Sequence, residues 1–146
     1  MLTMKSRSTT PPSRDVARAA ALVALAERLE EAAPRLALLM AQEMGKPVAE
    51  GRAEVRKSAR VCRYAAEHSP AALAPTPVDA AVTEAAVHYA PLGVVLAIMP
   101  WNFPFWQLFR IAAPAWMVGN AVALKHAPNV PGCAAAIAEL CADLPL

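Results

Sequence analysis

Apolar positions in the first half of the chain recur at the spacing of a helix face. From Asp15 to Ala33, charged residues separate leucines that stand three or four positions apart, which predicts an amphipathic helix. These leucines are Leu22, Leu25 and Leu29. Pro34 suits the first turn of a second helix, and Gly45 its end. The inward positions of a third helix are predicted to be Val48, Val55, Ala59 and Cys62. The mixed charges of "EGRAEVRKSARVCRYAAEH" indicate a solvated face on it.

The pattern changes after a proline-rich stretch, Ser69 to Asp79, which is expected to end the helical part. Residues 81–90 show only a weak strand alternation. The continuous apolar run from Val94 to Met99 is typical of a strand that is buried on both faces. A helix over about 104–118, a strand over 121–125 and a helix over 133–142 are predicted to follow. This order indicates parallel strands joined by a crossover.

The predicted fold class is therefore α/β, beginning with helices. The chain divides into a disordered lead-in (1–14), a helical segment with its proline-rich linker (15–79), and the first β-α-β-α units of a Rossmann-like parallel sheet (80–146). With 146 residues, of which 57% are hydrophobic and 18% charged, the chain has the length and composition of a globular protein with a core.

Charge and cysteine content argue against several classes of protein. A net charge of +2 is too small to favour a nucleic-acid partner. The uncharged stretch from Ala85 to Phe109 is long enough for a membrane span, but prolines and Asn102 interrupt it, so a buried strand followed by a helix is favoured. No apolar signal segment begins the chain. The three cysteines form neither a C-x-x-C pair nor a zinc spacing with the histidines. These features predict a cytoplasmic protein without a metal site.

Candidate chemistry centres on Asn102, two residues after Pro100 closes the first predicted strand. Ligands of open parallel sheets bind beyond the carboxyl ends of the strands. An amide held there can donate to a developing oxyanion, a contact worth about 3–4 kcal/mol. An Asx turn that caps the next helix would explain the same residue. The spacing leaves both interpretations open.

Two segments of the chain resemble those of a known family. The segment "PLGVVLAIMPWNFPFWQLFRIAAPAWMVGNAVALKHAPNVPGCA" resembles the start of the cofactor-binding domain of NAD(P)-dependent aldehyde dehydrogenases, and "EMGKP" resembles the helical N-terminal segment of the same family. The resemblance extends from about Ala17 onward, and P-W-N-F-P is specific to the family. Within the family, "WNFPFWQLFR" and "LKHAPNVPGC" are most similar to succinate-semialdehyde dehydrogenases. The implied fold is the beginning of the aldehyde dehydrogenase fold.

The resemblance also implies roles for individual residues. Asn102 would be the side-chain donor of the oxyanion hole, with Phe103 and Trp106 as apolar walls of the substrate site. Arg110 would pair with the far carboxylate of the substrate, for which a guanidinium is well suited, although a structural ion pair is an alternative. The cofactor cleft would be lined by Ile98, Met99, Pro100 and Trp101, and Lys125 and His126 would bind the adenosine ribose or its phosphate.

The expected cofactor is NADP or NAD. Many family members carry a glutamate for both ribose hydroxyls three residues after the lysine, where this chain has Pro128. The lost carboxylate removes a repulsion toward a 2′-phosphate, so NADP becomes plausible without excluding NAD. The glycines fit neither G-x-G-x-x-G nor a P-loop.

The family mechanism needs a nucleophilic cysteine and a general-base glutamate, which in the family lie far beyond the P-W-N-F-P segment. Cys133 stands near a predicted helix N-terminus but lacks a partner base, so it is expected to pack as an apolar residue. The chain alone is therefore expected to be inactive and, with uncovered apolar surface and unpaired strand edges, poorly soluble. Full-length family members are expected to be homo-oligomers acting on small aldehydes. The alternatives are a non-catalytic remnant that binds a dinucleotide or full-length subunits, and a small membrane protein.

Overall fold

The computed structural model describes residues 14–79 and 85–146. The predicted lead-in lies outside this range except for its last residue, and so do the first four residues of the segment 81–90. The first two elements are helices, α1 (Arg14–Met44) and α2 (Val48–Ala72). They run antiparallel, because Gly51 lies against Ala37 near the connection while Arg63 bonds Glu30 further along. The predicted stop at Gly45 is confirmed by its φ of +74°.

The prediction that Pro34 begins a second helix is wrong, since α1 is continuous through it. Proline removes one helical hydrogen bond, but the apolar face continues across the position: Leu29, Ala33, Leu36 and Met40 are all buried. The pyrrolidine itself faces solvent. Packing of one uninterrupted face against α2 therefore outweighs the local preference for a break.

The proline-rich stretch also begins inside a helix, because α2 includes Pro70 and ends at Ala72. After it, β1 (Thr76–Pro77) pairs antiparallel with β2 (Ala86–Val87). This two-residue ladder is all that the structure describes of the weak strand pattern over 81–90.

The predicted parallel unit is confirmed. It comprises β3 (Val94–Ile98), α3 (Trp106–Val118), β4 (Ala121–Lys125) and α4 (Pro131–Cys141), and the two strands pair in parallel. Gly119 ends α3 in a left-handed conformation, as expected from its position. The helices begin at Trp106 and Pro131 rather than at 104 and 133. At α4 this shift places Pro131 in the first turn, where its missing N–H costs nothing.

Burial of β3 on both faces is contradicted. Val94, Leu96 and Ile98 are between 64% and 70% exposed, whereas Ala97 between them is buried. The reason is that the described helices cover one face of the sheet only, the face on which Val122 and Leu124 of β4 pack against the core. The apolar run thus forms a surface that only a second layer of structure on that face of the sheet would bury.

The helical hairpin and the α/β unit share one hydrophobic core, which includes Leu29 of α1, Cys62 of α2, Phe109 of α3 and Ile137 of α4. Polar contacts fix α4 on α1. The Glu43 carboxylate accepts from the N–H groups of Gly132 and Cys133, and Arg28 donates to the carbonyls of Leu140 and Ala142. An anion thus lies at the positive end of α4 and a cation at its negative end. No helix in the described part of the chain is long and apolar enough to cross a membrane.

Candidate functional site

The carboxyl ends of β3 and β4 form one edge of the parallel sheet. Ile98 pairs in register with Lys125, and the N–H of Met99 donates to the Lys125 carbonyl at 3.0 Å. Ile98 and Lys125 both lie on the uncovered face, and Lys125 forms no ion pair with another described residue. The side chain of Met99 is buried, only 8% exposed. Ile98, but not Met99, therefore presents its side chain to a ligand.

The chain between β3 and α3 carries the P-W-N-F-P motif. Trp101 and Phe103 are 49% and 43% exposed, and Asn102 between them is exposed as well. Pro104 is buried and anchors the segment. No hydrogen bond joins the Asn102 amide to another side chain or backbone group of the described residues. The amide at the strand end is therefore available to a ligand.

The alternative that Asn102 caps α3 is wrong. The first N–H groups of that helix, those of Phe105 and Trp106, donate to Oε1 of Glu54 at 3.0 and 3.1 Å. A carboxylate satisfies free N–H groups and also interacts favourably with the helix dipole. Glu54 comes from α2, so the cap is supplied by tertiary structure and leaves Asn102 without a local task.

Sequence reasoning missed Glu54 and its partner, Lys46. The charge pattern predicts a solvated face for Glu54, yet this residue is 5% exposed, and Lys46 is 7% exposed. The two side chains form an ion pair, and Lys46 Nζ also donates to the backbone carbonyl of Asn102 at 2.8 Å. The same ammonium lies 4.0 Å from the centre of the Phe103 ring, a cation–π contact. A signal was present for Lys46 alone, as part of "EMGKP".

His126 binds the same segment from the other side. Its Nδ1 accepts from the N–H of Ala127 at 2.8 Å, which leaves the proton on Nε2 to donate to the Pro104 carbonyl at 3.1 Å. Both ring nitrogens are thus engaged within the protein. This arrangement favours a role in holding the motif over the predicted contact with a ribose phosphate.

Phe103 and Trp106, the predicted walls of the substrate site, are brought together in one groove of about 310 Å³. Lys57 covers the Trp106 ring with its ammonium 3.9 Å from the ring centre. The full lining is Lys46, Glu50, Ala53, Glu54, Lys57, Arg60, Phe103 and Trp106. Arg110 is not among these residues; it is exposed on α3 and forms no ion pair with another described residue.

The three thiols are free, and none has the character of a nucleophile. Burial raises the pKa of Cys62 to about 12 and that of Cys141 to about 11. Burial, together with the hydrogen bond to Glu43, also raises the pKa of Cys133, although this residue stands at the N-terminus of α4. A nearby carboxylate therefore cancels the activating effect of the helix terminus.

A dinucleotide fits the sheet edge better than it fits the helix ends. The carboxylates of Glu54 and Glu43 occupy the N-termini of α3 and α4, so neither helix offers free N–H groups to a diphosphate. The edge itself offers the exposed side chain of Ile98 beside Lys125, and the exposed ring of Trp101 follows three residues later. These residues suit the planar and ribose parts of a nucleotide.

Known proteins are similar to this chain over most of its length. The aldehyde dehydrogenase family model matches residues 5–146. The chain is 52% identical over 115 residues to a probable succinate-semialdehyde dehydrogenase [NADP(+)] of Synechocystis, covering 79% of this chain and 25% of that protein. It is 50% identical over 120 residues to the succinate semialdehyde dehydrogenase [NAD(P)+] Sad of Escherichia coli, with 82% and 25% coverage. The chain thus spans about a quarter of the length of these relatives.

Among solved structures, the crystal structure of succinic semialdehyde dehydrogenase from Streptococcus pyogenes, in complex with NADP+, superimposes with a TM-score of 0.87 at 32% identity. The match covers 92% of this chain and 30% of that one. The described helices and parallel strands therefore form the same arrangement as part of that enzyme.

Proposed function

This chain belongs to the aldehyde dehydrogenase family, as the P-W-N-F-P segment indicated, and from that membership we propose that it is part of an enzyme that oxidises succinate semialdehyde to the acid with NADP or NAD. The substrate and the cofactor in this proposal are those of its relatives. The structural observation that carries it is the free amide of Asn102, exposed at the carboxyl end of β3.

Asn102 serves as the oxyanion donor. When a nucleophile adds to the aldehyde carbon, negative charge develops on the carbonyl oxygen, and a fixed amide N–H stabilises that charge more than it stabilises the neutral substrate. The thiols of this chain are poor candidates for the nucleophile, because their raised pKa values keep them protonated. Residues outside this chain would supply the nucleophile and the general base.

NADP or NAD would bind at the sheet edge and would supply the hydride acceptor there. Ile98, Pro100 and Trp101 line its cleft, together with the backbone of Met99. Lys125 binds the hydroxyls or the 2′-phosphate of the adenosine ribose, since it is exposed and has no carboxylate partner among the described residues. An unneutralised ammonium at this position favours NADP without preventing NAD from binding.

The substrate lies in the groove of Phe103 and Trp106. Arg110, one turn beyond Trp106 on α3, binds the far carboxylate, which is possible because the described residues provide no acid that neutralises it. We also propose a cytoplasmic location, with which three free thiols are consistent.

A chimera tests the proposed function directly. This chain would replace the matching segment of the Synechocystis relative, and formation of reduced cofactor would be followed with succinate semialdehyde. We expect NADP-dependent activity, and we expect Asn102→Ala to lower kcat by about 10²–10³-fold. Asn129→Ala, at an exposed asparagine of the loop after β4, is the matched control and should retain activity. The proposal would be contradicted if the chimera that carries this chain without substitutions were inactive.

Two further variants of the chimera separate the binding roles. Removing one charged contact costs about 1.5–3 kcal/mol, or roughly 10- to 100-fold in affinity. Arg110→Met should raise KM for succinate semialdehyde by this factor and leave KM for butanal, which lacks the carboxylate, within about twofold. Lys125→Met should raise KM for NADP more than KM for NAD. If a variant raised KM equally for both aldehydes, or equally for both cofactors, its residue would have a role in the fold instead of in binding.

A further inference from the structure

Three side chains from other parts of the chain bind the backbone of the P-W-N-F-P segment and of the two residues that follow it. Lys46 donates to the Asn102 carbonyl, His126 donates to the Pro104 carbonyl, and Glu54 accepts from the N–H groups of Phe105 and Trp106. These bonds hold the middle and the C-terminal end of a stretch that belongs to neither a strand nor a helix. The Asn102 side chain, in contrast, is bound by no described residue.

Lys46 and Glu54 are joined in a single buried unit. One oxygen of Glu54 pairs with Lys46 Nζ, and the other accepts from the backbone at the start of α3. Lys46 comes from the α1–α2 connection and Glu54 from α2, so the helical hairpin determines where the segment lies. A buried ion pair is not needed for stability, because a well-packed apolar pair would serve as well or better. Stability alone therefore does not account for an ion pair at this place.

We propose that Lys46 and Glu54 are positioning residues for the Asn102 amide, a role that rests on the proposed function. Lys46 restrains the peptide group of Asn102 itself, and so restrains the backbone position from which the side chain extends. Glu54 fixes Lys46 and the helix start together. A misplacement of about 1 Å in a catalytic group can cost 100-fold in rate, so a donor on an irregular segment needs such support.

The test uses the chimera described above and the variant pair Lys46→Met/Glu54→Gln. This pair removes both charges, so no unpaired charge stays buried, and the glutamine oxygen still accepts from the start of α3. What is lost is the cation on the Asn102 carbonyl. The matched control is Arg63→Met/Glu30→Gln, which removes an exposed ion pair between the same two helices, away from the segment.

The expected result is a fall in kcat of about 10- to 100-fold, a KM for succinate semialdehyde within about twofold and little change in Tm. In the Asn102→Ala background the same pair should lower kcat by less than about twofold, because residues that act through one group are not additive. The control pair should leave kcat unchanged in both backgrounds.

The outcomes distinguish this inference from the function on which it rests. An inactive chimera of wild-type sequence would overturn both. An active chimera in which Lys46→Met/Glu54→Gln leaves kcat unchanged would overturn the positioning role alone. Equal losses with and without Asn102 would also overturn it, since they would show that the pair supports the fold and not the amide. Hydrogen exchange at the Phe105 and Trp106 amides would show whether the variant has released the helix start.

Discussion

The carboxylate of Glu43 should contribute measurably to the stability of this chain. Its two oxygens accept from the N–H groups of Gly132 at 2.5 Å and Cys133 at 2.9 Å, at the N-terminus of the 11-residue helix α4. These N–H groups have no partner within the helix, so losing the carboxylate leaves two donors unsatisfied at a partly buried position.

The magnitude follows from the number of contacts. A net hydrogen bond to a charged group contributes about 1.5 kcal/mol at the low end of the measured range, so two give roughly 3 kcal/mol for Glu43→Ala. Glu43→Gln keeps one acceptor but loses the charge that interacts with the helix dipole, and its cost should be about 1–1.5 kcal/mol. Arg28→Met, at the other end of α4, should fall between these values.

Pulse proteolysis across a urea series would measure these changes at submicromolar concentration, where aggregation is slow. With a slope of about 2 kcal/mol per molar urea, Glu43→Ala should lower the midpoint by about 1.5 M. Glu31→Ala, at an exposed carboxylate on the same helix, should stay within about 0.5 kcal/mol of wild type. If Glu43→Ala and Glu31→Ala had equal midpoints, the assigned contacts with α4 would not exist in solution.

Three other predictions concern different parts of the chain. The thiols, whose pKa values burial raises, should react slowly with Ellman's reagent at pH 8 and at once in urea; one thiol reacting fast in the native chain would contradict their placement. Leu96→Glu, on the uncovered face of β3, should reduce light scattering by the isolated chain. It should lower the stability of the chimera, where the rest of the enzyme is expected to cover that face. The control is Val23→Glu, on the exposed surface of α1. Arg63 lowers the pKa of Glu30. The contribution of the ionised Glu30 to stability is therefore complete above the ordinary carboxyl pKa and is lost as pH falls through the depressed value. The difference in urea midpoint between wild type and Glu30→Gln should therefore shrink below pH 4 and, because the pair is exposed, correspond to less than about 1 kcal/mol at neutral pH; a difference that persists at pH 2 would refute this cause.

Much of the fold follows from the sequence read locally. Three-to-four spacing of leucines predicts the apolar face of α1, the run from Val94 to Met99 predicts β3, and Gly45 and Gly119 mark helix ends. The errors arose where packing overrides a local preference. Pro34 remains helical because the face on both sides of it is buried against α2.

The candidate site divides in the same way. P-W-N-F-P identified the family and drew attention to Asn102, Phe103 and Trp106, and the parallel strands bring Ile98 beside Lys125 as their pairing requires. The spacing could not decide whether Asn102 caps α3. That question depended on Glu54, which is 51 residues from Phe105 and whose neighbours in sequence are mostly solvated charges.

The sequence by itself determined the helical segments without all of their limits, the parallel strands and the family, because hydrophobic periodicity and short motifs are properties of neighbouring residues. Only the tertiary structure decided which charges are buried and which backbone groups they satisfy. In the sequence, a glutamate that will be buried, such as Glu54 on α2, looks the same as a glutamate on a solvated helix face. What distinguishes them is the arrival of a lysine and two free N–H groups from other elements, and these make the burial of Glu54 favourable.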